Sequence, residues 1–169
     1  VRPLYGGSDA LLAGGLLGHE VTFTTPAGVK GAVRPDTCLV ILETPGNPTL
    51  DLVDVEQAVR DAGGAPVLVD STFMTPVLQR PLEHGAAIVM HSATKFLGGH
   101  GTSIGGAVCD GGNFDFAASG RFPGFTEPDP SYHGLVYARD LGVGSALGAN
   151  LAFILKARVQ LLRDLGPAA

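Results

Sequence analysis

The chain has no tryptophan, and only two cysteines and two methionines among 169 residues. Cys38 and Cys109 lie far apart in dissimilar surroundings, which gives no disulfide framework and suits two reduced core thiols in a cytoplasmic protein. Positive charge is scarce as well. Eleven Lys and Arg stand against sixteen Asp and Glu, for a formal charge of −5. No run of like charges builds the basic face that nucleic acid or an anionic bilayer requires, so neither is expected as a partner. No apolar run reaches the roughly 18 residues needed for a spanning helix, and the amino end lacks a basic region followed by an apolar core. The five histidines, His19, His84, His91, His100 and His133, show no ligand spacing beside cysteines or acid clusters, and no metal site is expected. The glycines of GGHGTSIGG (98–106) lack both the Lys-hydroxyl ending of a P-loop and the spacing of a dinucleotide fingerprint.

What is present is a rhythm. TCLVILE (37–43), PVLVDS (66–71) and GAAIVMHS (85–92) are short runs rich in Val, Leu and Ile, the pattern of strands buried on both faces. Between the first two, LDLVDVEQAVRDAGG places Leu52, Val55, Ala58 and Val59 on one helical face and closes on Gly63. Strand, helix, strand in this order predicts an α/β fold with a mostly parallel sheet and flanking helices. The segment 111–134 is rich in Gly, Pro and aromatics with little periodicity, and is expected to form a long structured loop with one short helix. LAFILKARVQLLRDLG then predicts a helix with Leu151, Ile154, Leu155, Val159 and Leu162 on its apolar face. The chain starts at Val1 with a loop entering a helix, and its last helix needs something to pack on. Both ends read as cut, and a fragment of a longer chain is expected.

Ligands of open α/β sheets bind beyond the carboxyl ends of the strands. There the sequence puts Glu43 and Asn47 after the first strand, Asp70, Ser71 and Thr72 after the second, and Ser92, Thr94 and Lys95 after the third. A lone lysine in that place is either an ordinary surface cation or a nucleophilic amine whose neutral form is made accessible by desolvation or cationic neighbours. Ser92 and Thr94, with nearby backbone donors, suit a phosphate. An amine beside a phosphate seat is what pyridoxal phosphate requires. Its ring becomes an electron sink when a carboxylate holds the pyridine nitrogen protonated, a role open to Asp70 unless that residue is a cap or loop anchor. Asn47 can donate to the ring's phenolic oxygen or simply shape a turn before Pro48. Tyr5 can stack on the ring or pack as any aromatic does.

YGGS, ETPGNPT, VDSTFMTP and SATKFLGGHG, in this order, resemble the successive signatures of the cysteine and methionine metabolism family of pyridoxal phosphate enzymes. Within it, the 111–135 segment and the AFILKARVQLLRDLG helix are similar to the O-acetylhomoserine sulfhydrylases. The resemblance implies the large cofactor-binding domain of the aspartate-aminotransferase-like fold (fold type I), truncated at both ends. The start of that domain and the carboxyl-terminal small domain would then lie outside residues 1–169. It implies covalent attachment of pyridoxal 5'-phosphate to Lys95, Asp70 at the pyridine nitrogen, Asn47 at the phenolic oxygen, and Tyr5 and Thr72 near opposite ring faces. Ser92 and Thr94 would hold the phosphate. Ser71 stands where the family more often has asparagine. Further implications are O-acetylhomoserine and sulfide or a thiol as substrates, a homodimer or homotetramer, and Lys95 and Tyr5 as catalytic residues. The arginine gripping the substrate carboxylate would lie beyond Ala169, leaving Arg158 and Arg163 on a helix surface, and 1–169 alone is expected to be inactive. Rival readings are a methionine or cystathionine γ-lyase, a cystathionine γ-synthase, and a noncatalytic fragment.

Overall fold

The computed structural model describes residues 1–15 and 17–162. It divides into two compact units, Val1–Cys109 and Asp110–Ala169.

The sheet follows the predicted rhythm. Strands β1 (Val40–Glu43), β2 (Val67–Asp70), β3 (Ile88–Ser92) and β4 (Gly106–Asp110) lie side by side in chain order. β1 and β2 are parallel with Val40 opposite Val67 and Glu43 opposite Asp70, and β2 and β3 are parallel with Asp70 opposite Met90. Parallel pairing forces a crossover after β1 and after β2, which brings the carboxyl ends of β1, β2 and β3 to the same edge. β1 is shorter than its apolar run. Its ladder begins where Val40 N–H meets the Pro66 carbonyl at 3.0 Å, so 37–39 precede the sheet and Leu39 is exposed.

The first crossover carries α3 (Val55–Asp61), capped by Asp54, which accepts from Gln57 N–H. Val55, Ala58 and Ala62 bury one face against Val29, Leu42, Val67 and Val69. Leu52, expected on that face, lies ahead of the cap and is exposed. The turn out of α3 uses Gly63 at φ +57°. The amino-terminal loop leads into α1 (Gly6–Ala13), and α2 (Val29–Ala32) precedes β1. α4 (Thr75–Leu78) follows β2. Both cysteines are free, but neither is the core thiol expected: Cys38 falls in the stretch ahead of β1, and Cys109 is on β4, whose side chains are largely exposed.

In the second unit, 111–134 is more helical than its composition suggests, because capping replaces periodicity as the organising signal. Asp115 accepts from Ala117 and Ala118 N–H to start α5 (Phe116–Ser119), α6 (Pro123–Thr126) starts on a proline, and Asp129 opens a short 3-10 turn. Phe116 gathers Phe114, Phe122, Phe125 and Phe153 at centroid distances of 4.1–6.2 Å. α7 (Tyr137–Leu141) contributes the fully buried Tyr137, with the Lys156 amine 4.3 Å from its ring centroid. The last predicted helix appears as α8 (Ala152–Ala157) continued by a π turn over Arg158–Leu162. Leu151 is its cap, Ile154, Leu155 and Val159 are half-buried, and Arg158 is exposed. The Leu162 side chain, Arg163 and the rest of that segment lie outside the described residues. Among the described residues no helix is long and apolar enough to cross a membrane, and no group of three His, Cys, Asp or Glu is placed to hold a metal ion.

Candidate active site

The carboxyl end of β2 carries a buried acid, Asp70, 8% exposed. Its Oδ1 accepts the Thr72 N–H at 3.1 Å and the Thr72 hydroxyl at 2.5 Å. This is the loop-anchor geometry that local pattern allowed, yet it uses one oxygen only. Among the described residues Oδ2 accepts no hydrogen bond. Thr72, 7% exposed, in turn accepts the Ser92 N–H at 2.8 Å, so a side chain from the β2 end stitches the acid to the end of β3. Ser71 is fully buried and receives the His91 Nδ1–H on its carbonyl at 3.0 Å.

Glu43 ends β1 opposite Asp70 and is 5% exposed. Its Oε2 accepts the Tyr5 N–H at 2.5 Å, across 38 residues of chain. Burial pushes the Glu43 carboxyl above the ordinary glutamate value, the Tyr5 N–H pulls it back, and the neighbouring charge of Asp70 raises it further. The Tyr5 ring is 54% exposed at the mouth of α1.

Past β3 the chain turns. Lys95 N–H donates to the Ser92 carbonyl at 3.2 Å, Gly98 N–H to the Ala93 carbonyl at 2.8 Å and Gly99 N–H to the Lys95 carbonyl at 2.9 Å. A Cβ on Gly98 would sit 2.5 Å from the Ala93 oxygen, closer than real Cβ contacts allow, so this turn requires glycine. The Lys95 side chain is exposed, and its amine makes no ion pair or hydrogen bond among the described residues. The desolvation foreseen for it is not supplied by its neighbours here. The Ser92 hydroxyl is likewise uncommitted among the described residues. The Thr94 hydroxyl is engaged, accepting Gly105 N–H at 3.1 Å and closing the glycine loop. Asn47 lies apart from this string, in an open cleft shared with Arg2, Pro3, Leu4, Asp9, Pro48, Thr49 and Asp51.

Five of the seven expected residues are therefore brought together through main-chain or side-chain links: Tyr5 through Glu43 to the strand pair holding Asp70, then Thr72, Ser92 and Lys95. Asn47 sits on the loop after β1 and Thr94 on the loop after β3. Glu43 is the one member to which sequence gave no role. The available signal was a glutamate ending a run of buried aliphatics, where a charge has to find a partner.

A family model for Cys/Met metabolism PLP-dependent enzymes matches residues 2–160. The chain belongs to that family. It is 49% identical over 173 aligned residues to the O-acetyl-L-homoserine sulfhydrylase of Leptospira meyeri, a match covering 98% of this chain and 39% of the relative. It is 60% identical over 117 residues to the L-methionine gamma-lyase of Brevibacterium aurantiacum, covering 69% of this chain and 28% of that one. Among solved structures, a Campylobacter jejuni protein assigned as an O-acetylhomoserine (thiol)-lyase superposes with a TM-score of 0.80 at 26% identity. That match covers 96% of this chain and 40% of the other, which carries a pyridoxyl-lysine-5'-monophosphate residue. This member of the PLP family thus spans about two fifths of the length of the sulfhydrylases it matches. Its sheet with flanking helices is that of the fold type I neighbours.

Proposed function

We propose that these residues form part of the cofactor-binding domain of an enzyme that replaces the acetoxy group of O-acetyl-L-homoserine with sulfide or a thiol. The products are homocysteine or methionine, and acetate. The observation that carries the reading is the linked string from Tyr5 to Lys95, which leaves one Asp70 oxygen, the Lys95 amine and the Ser92 hydroxyl uncommitted along one sheet edge. A carboxylate, an amine, a hydroxyl and an exposed aromatic ring are the donor set pyridoxal phosphate needs, so the residues present fit the group. When bound, that cofactor supplies an electron sink for the substrate's α carbon.

Each residue has a task on that reading. Lys95 would be the residue that holds the cofactor covalently, and its amine would serve as the base that takes the proton from the substrate's α carbon and moves protons at the β carbon as acetate leaves the γ carbon. The Asp70 carboxylate holds the pyridine nitrogen protonated. Tyr5 and Thr72 would flank the ring, Asn47 would contact the phenolic oxygen, and Ser92 and Thr94 would hold the phosphate. The complete polypeptide acts in the cytoplasm as a homodimer or homotetramer, with the remaining phosphate donors and the carboxylate clamp supplied outside 1–169. This assembly is taken from the family resemblance.

The test is borohydride trapping of pyridoxal phosphate on the complete polypeptide followed by peptide mapping, with product analysis in parallel. Label on Lys95 and homocysteine from O-acetylhomoserine and sulfide support the reading; label elsewhere removes it. A methionine γ-lyase is the second reading, favoured by the higher identity to the Brevibacterium enzyme over two thirds of the chain. The sulfhydrylase match extends over nearly all of it, the second unit included. Release of methanethiol and ammonia from methionine, without homocysteine synthesis, selects the lyase.

A further inference from the structure

Tyr5 is positioned by its main chain and not by packing. Its ring is more than half exposed, and no ring stacks on it among the described residues. Its carbonyl accepts the Asp9 N–H at 2.9 Å, which opens α1, and its N–H goes to Glu43. The ring rests beside Gly7, where a Cβ would come within 2.6 Å of Tyr5 Cε1. Glu43 is at the carboxyl end of β1, in register with Asp70. A buried carboxylate in this place costs free energy that an apolar residue would avoid. What it gives in return is an acceptor for one main-chain donor from a distant segment.

We infer that Glu43 is a positioning residue: by holding the Tyr5 N–H it ties the exposed ring to the strand end that carries Asp70, so ring and acid keep a fixed separation. The inference rests on the reading that Tyr5 and Asp70 both contact the cofactor. The groups facing Glu43 are the Tyr5 N–H from the α1 entry and the Asp70 carboxylate from β2. Acceptance of the N–H is the function, and a glutamine oxygen can perform it.

The experiment compares Glu43→Ala and Glu43→Gln in the complete polypeptide. One readout is amide hydrogen exchange at Tyr5 without cofactor, with residues 67–69 of β2 as the internal reference. The other is pyridoxal phosphate affinity by equilibrium dialysis. Losing one hydrogen bond in Glu43→Ala should speed Tyr5 exchange about tenfold and weaken cofactor binding about as much, with 67–69 unchanged. Glu43→Gln should restore both to within about twofold of wild type, a rescue that loss of general stability would not give. The inference is overturned if Tyr5 exchange is unaffected in Glu43→Ala, if 67–69 accelerate equally, or if Glu43→Gln behaves like Glu43→Ala. Failure of the wild type to take up pyridoxal phosphate would remove the functional reading itself; uptake without any Tyr5 effect would remove only this inference.

Discussion

Thr72→Val isolates the hydroxyl that joins two strand ends. Valine keeps the branched shape and buried volume but has neither donor nor acceptor. In the native chain that hydroxyl donates to Asp70 Oδ1 at 2.5 Å and accepts from Ser92 N–H at 2.8 Å. A hydrogen bond to a charged acceptor contributes about 1.5–3 kcal/mol, and stranding a donor costs about 1–3 kcal/mol more when burial is complete. Ser92 is half-buried, so water replaces part of its loss. The expected destabilisation is about 3 kcal/mol. Thr72→Ser keeps the hydroxyl and removes one methyl, about 1 kcal/mol. Urea unfolding of wild type, Thr72→Val and Thr72→Ser should therefore show the valine variant lower than the serine variant by about 2 kcal/mol. In a cycle with Asp70→Asn the Thr72→Val effect should shrink by about 1 kcal/mol, since the charged acceptor is then gone. Equal midpoints for the valine and serine variants, or full additivity with Asp70→Asn, would refute the reasoning.

Gly98→Ala forces a methyl against the Ala93 carbonyl, a main-chain group that cannot rotate aside, and should cost about 1–3 kcal/mol locally. Amide exchange at Gly98, now protected by that same carbonyl, should rise at least about tenfold; unchanged protection would contradict it. The pH dependence of stability should carry the mark of Glu43. A carboxyl raised in the folded state stabilises fully below the ordinary glutamate value and loses that contribution as pH rises through the folded one. Relative to Glu43→Gln, the wild type should thus lose stability on going from acid toward neutral pH, and a gain over that window in urea midpoints would falsify the assignment.

Much of the candidate site's layout is legible in the sequence because it hangs on strands. The places of Asp70 and Ser92 follow from where buried aliphatic runs stop, and that of Lys95 from its spacing after the third run. Periodicity carries that information directly. Glu43 was seen at a strand end but given no task, since its partner is a main-chain N–H in the opening loop and no pattern in either segment announces the pairing. The Thr94 hydroxyl, expected at a phosphate, closes its own loop on Gly105. The 111–134 segment was under-read for a related reason: Asp115 and Asp129 build its turns through single caps, which leave no periodic trace, and its phenylalanines are spaced for a cluster and not for a helix face. Leu52 and Cys38 were misplaced by a residue or two of boundary, where the register of the first ladder bond decides and composition does not.

The chain-order arrangement of β1, β2 and β3 has a consequence for biosynthesis. Val40 pairs with Val67 and Leu68 with Ile88, so each closure joins segments fewer than thirty residues apart. Closure entropy grows only with the logarithm of loop length, so nothing further along the chain is needed to bring each new strand to its neighbour. At ribosomal rates of about 5–20 residues per second, the stretch separating Asp70 from Lys95 takes about one to five seconds to make. Helix and strand formation are far faster than that. The β1–β2 pair that carries Asp70 can therefore be assembled while Lys95 is still inside the ribosome, and the lysine emerges onto a strand pair that already exists.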